Sequence, residues 1–138
     1  TTKSNNNSKC KRELRIKTTG SVIEELDFYK IGLDETYTDL GLGDVTGDPA
    51  DNGKFKSPSL RNLAFTAPYM HDGRFATLED VINHYSEGLK NSPTIDPLMK
   101  KVAQGGVGLT DQDKANLKAF LLTLSDYEFI NNVDFKKE

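Results

Sequence analysis

Between Gly53 and Tyr85 the chain reads GKFKSPSLRNLAFTAPYMHDGRFATLEDVINHY, and both of its histidines lie in this stretch. No other segment constrains the fold as much. A loop crowded with Tyr69, His71, Asp72 and Arg74 sits between Pro68, which restricts the residue before it, and Gly73, which permits a sharp exit. The loop runs straight into a helix signal. Thr77, with Asp80 three residues on, makes a short-armed capping box. Leu78, Val81, Ile82 and Tyr85 recur at the i, i+3, i+4, i+7 spacing of a buried face, so an amphipathic helix is predicted, ending near Gly88 with Tyr85 turned inward. His84 lies one position off that face and is expected to be partly exposed.

Upstream, Ser57 and Pro58 have the chemistry of a cap and a first helical residue, which predicts a short helix through Leu63 with Leu60 and Leu63 inward. The fork of donors on Arg61 suits a carboxylate pair. Leu40 to Gly53 is read as a loop on its glycines, proline and acids. Asp44, Asp48 and Asp51 within it do not have the spacing of an EF-hand and are read as solvated turn residues. Downstream, Asp96 and Pro97 predict a brief helix through Leu98, Met99 and Val102, stopped by Gly105-Gly106. Thr110 and Asp113 cap the last helix, where Leu117, Phe120, Leu121 and Leu124 form an apolar stripe and Lys114 and Lys118 are assigned to the wet side.

Residues 1–20, rich in Asn, Ser, Thr and Lys, offer nothing to offset the entropy of ordering them and are expected to be a flexible polar arm. Residues 21–138 are read as one domain. Cys10 is an exposed thiol beside Lys9, Lys11 and Arg12, and as the only cysteine it excludes an internal disulfide or a four-cysteine zinc site. A net charge of -3 over 138 residues, with no basic stripe, argues against a nucleic-acid partner. No apolar run approaches the ~20 residues of a membrane span. The chain opens at Thr1, without a methionine, and is expected to be a processed or partial protein.

The wording PSLRN, TAPYMHDGRFATLE and HY resembles the C-terminal haem domain of the bacterial di-haem cytochrome c peroxidases and their MauG-type relatives, roughly from Asp27 to Leu124. The resemblance implies a mainly α, cytochrome c-like helical domain with long irregular loops. It implies a periplasmic oxidoreductase containing haem c, in which this domain relays electrons from a small donor cytochrome or cupredoxin to a peroxide-reducing haem in an N-terminal domain. By the same resemblance Arg61 anchors a haem propionate, and Tyr69, Met70 and His71 belong to the cofactor pocket. Met70 packs against haem or core, and His71 is left open between an oriented imidazole, a ligand and a loop stabiliser. The backbone carbonyls of Thr66 and Pro68 would help to hold calcium. Tyr85 falls where many of the peroxidases carry a methionine ligand; tyrosine there is the MauG-type pattern and would be the axial ligand of the haem iron.

The Cys-x-x-Cys-His that tethers a c-type haem is absent from this sequence, and tryptophan is absent too. The chain alone is therefore expected to be inactive and free of iron porphyrin. Two other readings remain open at this stage. One is a MauG-like enzyme that draws electrons from residues of a partner protein, and the other is a haem-free descendant kept as a binding or interaction module.

Overall fold

The computed structural model describes residues 28–135 except 94, 98 and 100. The polar arm at 1–20, Cys10, the first residues of the predicted domain up to 27, Leu98 and residues 136–138 lie outside that set. Two short antiparallel strands, β1 (Phe28–Tyr29) and β2 (Phe55–Lys56), pair Phe28 with Lys56 and Tyr29 with Phe55. The connection between them is more wound than the sequence suggested. It contains α1 (Leu42–Thr46) and a 3-10 turn at Pro49–Asp51. The Asp48 carboxylate accepts the Ala50 N–H at 2.8 Å, and Pro49 supplies a preset φ, so the same turn chemistry closes a helical turn here.

The helix predicted from Ser57 is not formed. Residues 57–60 are irregular, and only a 3-10 turn, Leu63–Phe65, follows. Asn62 has φ 58°, a left-handed conformation that an α-helix does not pass through. Leu60 is correspondingly 47% exposed, not inward. Asn62 instead ties this segment to the far end of the chain: its N–H donates to Leu124 O at 3.0 Å and its Oδ1 accepts the Asp126 N–H at 2.6 Å.

The helix α2 (Leu78–Glu87) has the predicted capping box, with Thr77 and Asp80 exchanging side-chain and backbone bonds. Leu78 and Ile82 are buried, and with Leu33 and Leu89 they are the buried apolar side chains of the described residues. Val81 and Tyr85 are half-buried. The last long helix, α3 (Asp111–Leu122), also has its predicted capping box, from Thr110 and Asp113. Its facing is the reverse of the prediction. Lys114 pairs with Glu87 at 3.0 Å and Lys118 with Glu79, so the lysines lie against α2. Leu117, Phe120 and Leu122 are exposed, Phe120 by 58%, while Leu121 and Leu124 are half-buried. The stripe is covered only in part, since α3 also contacts the 3-10 turn Leu63–Phe65, and the charged edge meets α2.

After Asp96 the described residues show single turns, Met99 N–H to Asp96 O and Val102 N–H to Met99 O, leading to a 3-10 turn at Val102–Gln104 that stops at Gly105 as predicted. The chain closes with α4 (Tyr127–Asn131), capped by Asp126, and a 3-10 turn at Val133–Phe135. Helical residues make up 42% of the described residues, so the expected mainly α domain is found only in part: four helices and a two-stranded sheet among those residues, joined by long loops. Among the described residues no helix is long and apolar enough to cross a membrane.

With so few apolar side chains fully covered, Ile82→Ala is expected to lower unfolding free energy by about 2–5 kcal/mol, and Thr77→Ala by about 1 kcal/mol. Urea unfolding followed by circular dichroism measures both. Equal effects from the two would contradict the central place given to Ile82.

Candidate functional site

The loop before α2 is closed by its own backbone. Tyr69 N–H donates to Phe75 O at 2.7 Å and Phe75 N–H to Tyr69 O at 3.4 Å, with Met70 at φ 73° and Gly73 at φ 69° making the reversal. The Ala67-Pro68 peptide is cis. The Tyr69 hydroxyl donates to Leu63 O at 2.9 Å, and burial pushes its pKa up. From there a row of rings leads into the helix: Phe75 lies 5.4 Å from His84, and His84 meets Tyr85 edge-on at 5.7 Å.

Tyr85 sits in the last turn of α2, and burial pushes its phenol pKa up. Its hydroxyl makes no hydrogen bond among the described residues. An uncommitted, part-buried phenol is available to a further group. His84 differs from expectation, being buried with 8% exposure. The reason is a second covered side of α2, supplied by the Phe75 ring and by Gly88, where a Cβ would stand 3.1 Å from His84 Nδ1. Burial, and next the charge of Arg74, hold the imidazole below its ordinary pKa, and its Nε2 is buried without a partner. Phe75 after the loop and Gly88 after the helix were the available signals for this burial.

A separate polar cleft of about 280 Å³ opens on the other side of the loop, with Asp34, Tyr37, Asp39, His71, Asp72 and Arg74 among its lining residues. Arg74 forks onto both Asp34 oxygens at 3.0 and 2.6 Å and donates through Nε to Asp72 at 2.7 Å. Its hydrogen bonds are the main cause holding both carboxyls below the usual range. His71 is exposed and stacks on Phe55 at 3.7 Å and 14°. The predicted site residues therefore fall into two groups: Tyr69 and Tyr85 are linked through Phe75 and His84, whereas His71 faces the polar cleft.

Met70 is half-buried at the tip of the loop. Arg61 is exposed, and its guanidinium makes no ion pair or hydrogen bond among the described residues. Thr66 and Pro68 are exposed, and their carbonyls accept no hydrogen bond there. No group of three or more His, Cys, Asp or Glu among the described residues is placed to hold a metal ion. Two of the predicted side chains have the donor chemistry that a haem would use. Neither the Tyr85 hydroxyl, which would be an oxygen donor to iron, nor the Arg61 guanidinium, which would be a fork for the ring's acids, has a partner among the described residues. The thioether cysteines and proximal histidine are not in this sequence.

The fold matches the crystal structure of a MauG-like protein associated with microbial copper homeostasis, with TM-score 0.70 and 45% identity over 81% of this chain and 38% of that one. The cytochrome-c peroxidase IdrP2 of Denitromonas iodatirespirans is 43% identical over 88 residues, which is 64% of this chain and 22% of that protein. The methylamine utilization protein MauG of Paracoccus denitrificans is 37% identical over 116 residues, 71% of this chain and 30% of its own length. No protein-family model matches. Over about 65% of its length the chain is homologous to the di-haem cytochrome c peroxidases and MauG proteins. It spans only 22% to 30% of the length of the two curated relatives described here.

Two sets of groups make stability depend on pH. His84 has a lowered pKa, so its contribution is complete above about 6.5 and is lost as pH falls through the lowered value. Asp34 and Asp72 have lowered pKa values, so theirs is complete above about 4 and is lost on further acidification. A two-stage fall in melting temperature is expected from about pH 7 to about pH 3. Arg74→Gln is expected to flatten the lower stage; an unchanged acid slope would show that the clasp does not form.

Proposed function

We propose that this chain is the C-terminal, electron-relay part of a di-haem peroxidase-family oxidoreductase, working beside an N-terminal haem domain in the periplasm. The observation that carries the reading is the Tyr85 phenol, part-buried in the last turn of α2 and without a hydrogen bond among the described residues. When bound, haem supplies one-electron chemistry between a donor and a peroxide-reducing partner haem. The chain's residues supply the setting. Tyr85 would supply an oxygen ligand to the iron, and Arg61 would hold the propionates. Tyr69, held by Leu63 O, lines the pocket with Met70. The carbonyls of Thr66 and Pro68 are free to contribute to a calcium site. His71, stacked on Phe55 at the polar cleft, stabilises the loop. The exposed apolar side of α3 supports a place within a larger assembly, since contiguous apolar surface of this kind marks an interface.

A MauG-like role, drawing electrons from residues of a partner protein, is favoured by one feature over a relay fed by a donor cytochrome or cupredoxin. That feature is tyrosine at position 85, because a hard anionic ligand lowers the iron potential relative to methionine. The 45% identity to a MauG-like protein supports the same reading.

The test uses the full-length haem-loaded protein. Tyr85→Phe is expected to abolish the tyrosinate-to-ferric charge-transfer absorption, and Tyr85→Met to raise the reduction potential of one haem. Wild-type spectra and potentials in both variants would remove Tyr85 from the iron.

A further inference from the structure

The end of α2 is not finished by its own residues alone. Gly88 N–H closes onto His84 O at 2.8 Å, but the next two carbonyls are taken from outside: Val107 N–H donates to Tyr85 O at 3.1 Å and Gly108 N–H to Ser86 O at 2.8 Å. The Ser86 hydroxyl, on a residue 3% exposed, accepts the Leu109 N–H at 3.0 Å. In return Leu89 N–H donates to Gly105 O at 2.7 Å. Residues 105–109 thus form a strap across the last turn of the helix, the turn that contains Tyr85. Gly106 lies flat on it. At φ 152° it has a backbone that side chains disfavour, and a Cβ there would stand 2.3 Å from Ser86 O and 2.4 Å from Ser86 C.

Helix ends fray because their last carbonyls lack partners, and a ligating group must be held within about 0.5 Å of its working position. We propose that the 105–109 strap is the positioning device of the Tyr85 site, with Gly106 and Ser86 as positioning residues that fix the direction of the phenol. This rests on the reading of Tyr85 as an axial ligand, and it adds its neighbour Ser86 and a strap that lies about twenty positions further along the chain.

The experiment uses the full-length haem-loaded protein with four variants: Gly106→Ala, Ser86→Ala, Tyr85→Phe and Thr77→Ala. Two readouts are taken, the tyrosinate-to-ferric absorption and amide hydrogen exchange at Val107 and Gly108. Gly106→Ala is expected to lose the absorption as Tyr85→Phe does and to speed exchange at both amides. Ser86→Ala is expected to weaken the absorption. Thr77→Ala removes the cap at the other end of the same helix and is expected to leave the absorption intact.

If Gly106→Ala speeds exchange but keeps the wild-type absorption, the strap is only structural and the proposal is overturned. If Gly106→Ala fails to fold, Ser86→Ala decides: unchanged absorption in it overturns the proposal. If Tyr85→Phe itself keeps the absorption, the axial reading falls first and the strap's role falls with it, a result distinguishable from the other two.

Discussion

Helix α2 is held at its start by its own capping box and at its end by a segment from outside it, and the described structure depends on that restraint. Its start is tied by the Thr77–Asp80 exchange and by the Glu79–Lys118 pair, its finish by the strap and by Glu87–Lys114. The apolar contribution is thin, since among the described residues only Leu33, Leu78, Ile82 and Leu89 are buried hydrophobic side chains. Exposed ion pairs are worth little individually. What keeps the helix in place is therefore the number of separate backbone anchors around a small core, and a helix so placed can present a side chain without large apolar contacts of its own.

How much of this was legible depended on whether the determinant was local. The two Thr-x-x-Asp boxes name their helices in the sequence, because a capping box is satisfied within four residues. The Ser57-Pro58 signal has the same appearance, yet it loses to Asn62, whose left-handed backbone serves bonds to Leu124 and Asp126 some sixty positions away. The Leu40–Gly53 segment was misread in the opposite direction: its turn residues close short helices. In α3 periodicity identified the apolar side correctly but not its neighbour. Amphipathic spacing states which residues want cover, and nothing in it says that the cover is present among the described residues.

The site divides along the same line. Tyr85 could be placed from spacing alone, and it lies half-buried in the predicted helix. His84 could not, because its burial comes from Phe75 across the loop and from the missing side chain of Gly88. The Arg74 clasp joins Asp34 to Asp72 across forty positions and leaves no periodic trace. The strap had a visible signal, the Gly105-Gly106-Val107-Gly108 run, but its partner could be seen only once Gly106 lay against the backbone of Ser86.

The electrostatics of Tyr85 set what can use it. Burial alone shifts the phenol, and shifts it upward, so in this chain it stays protonated at neutral pH. The nearby cations act elsewhere: Arg74 is spent on two carboxylates, and its field together with that of Lys90 bears on His84. A phenol that the protein desolvates without supplying a neighbouring positive charge ionises only when a cation is brought to its oxygen. Ferric iron would be such a cation under the reading proposed above, and because ligation would release the phenolic proton, affinity at this position would rise with pH. The same desolvation disfavours a free tyrosinate, so an anionic form of this side chain would need a cation held against it.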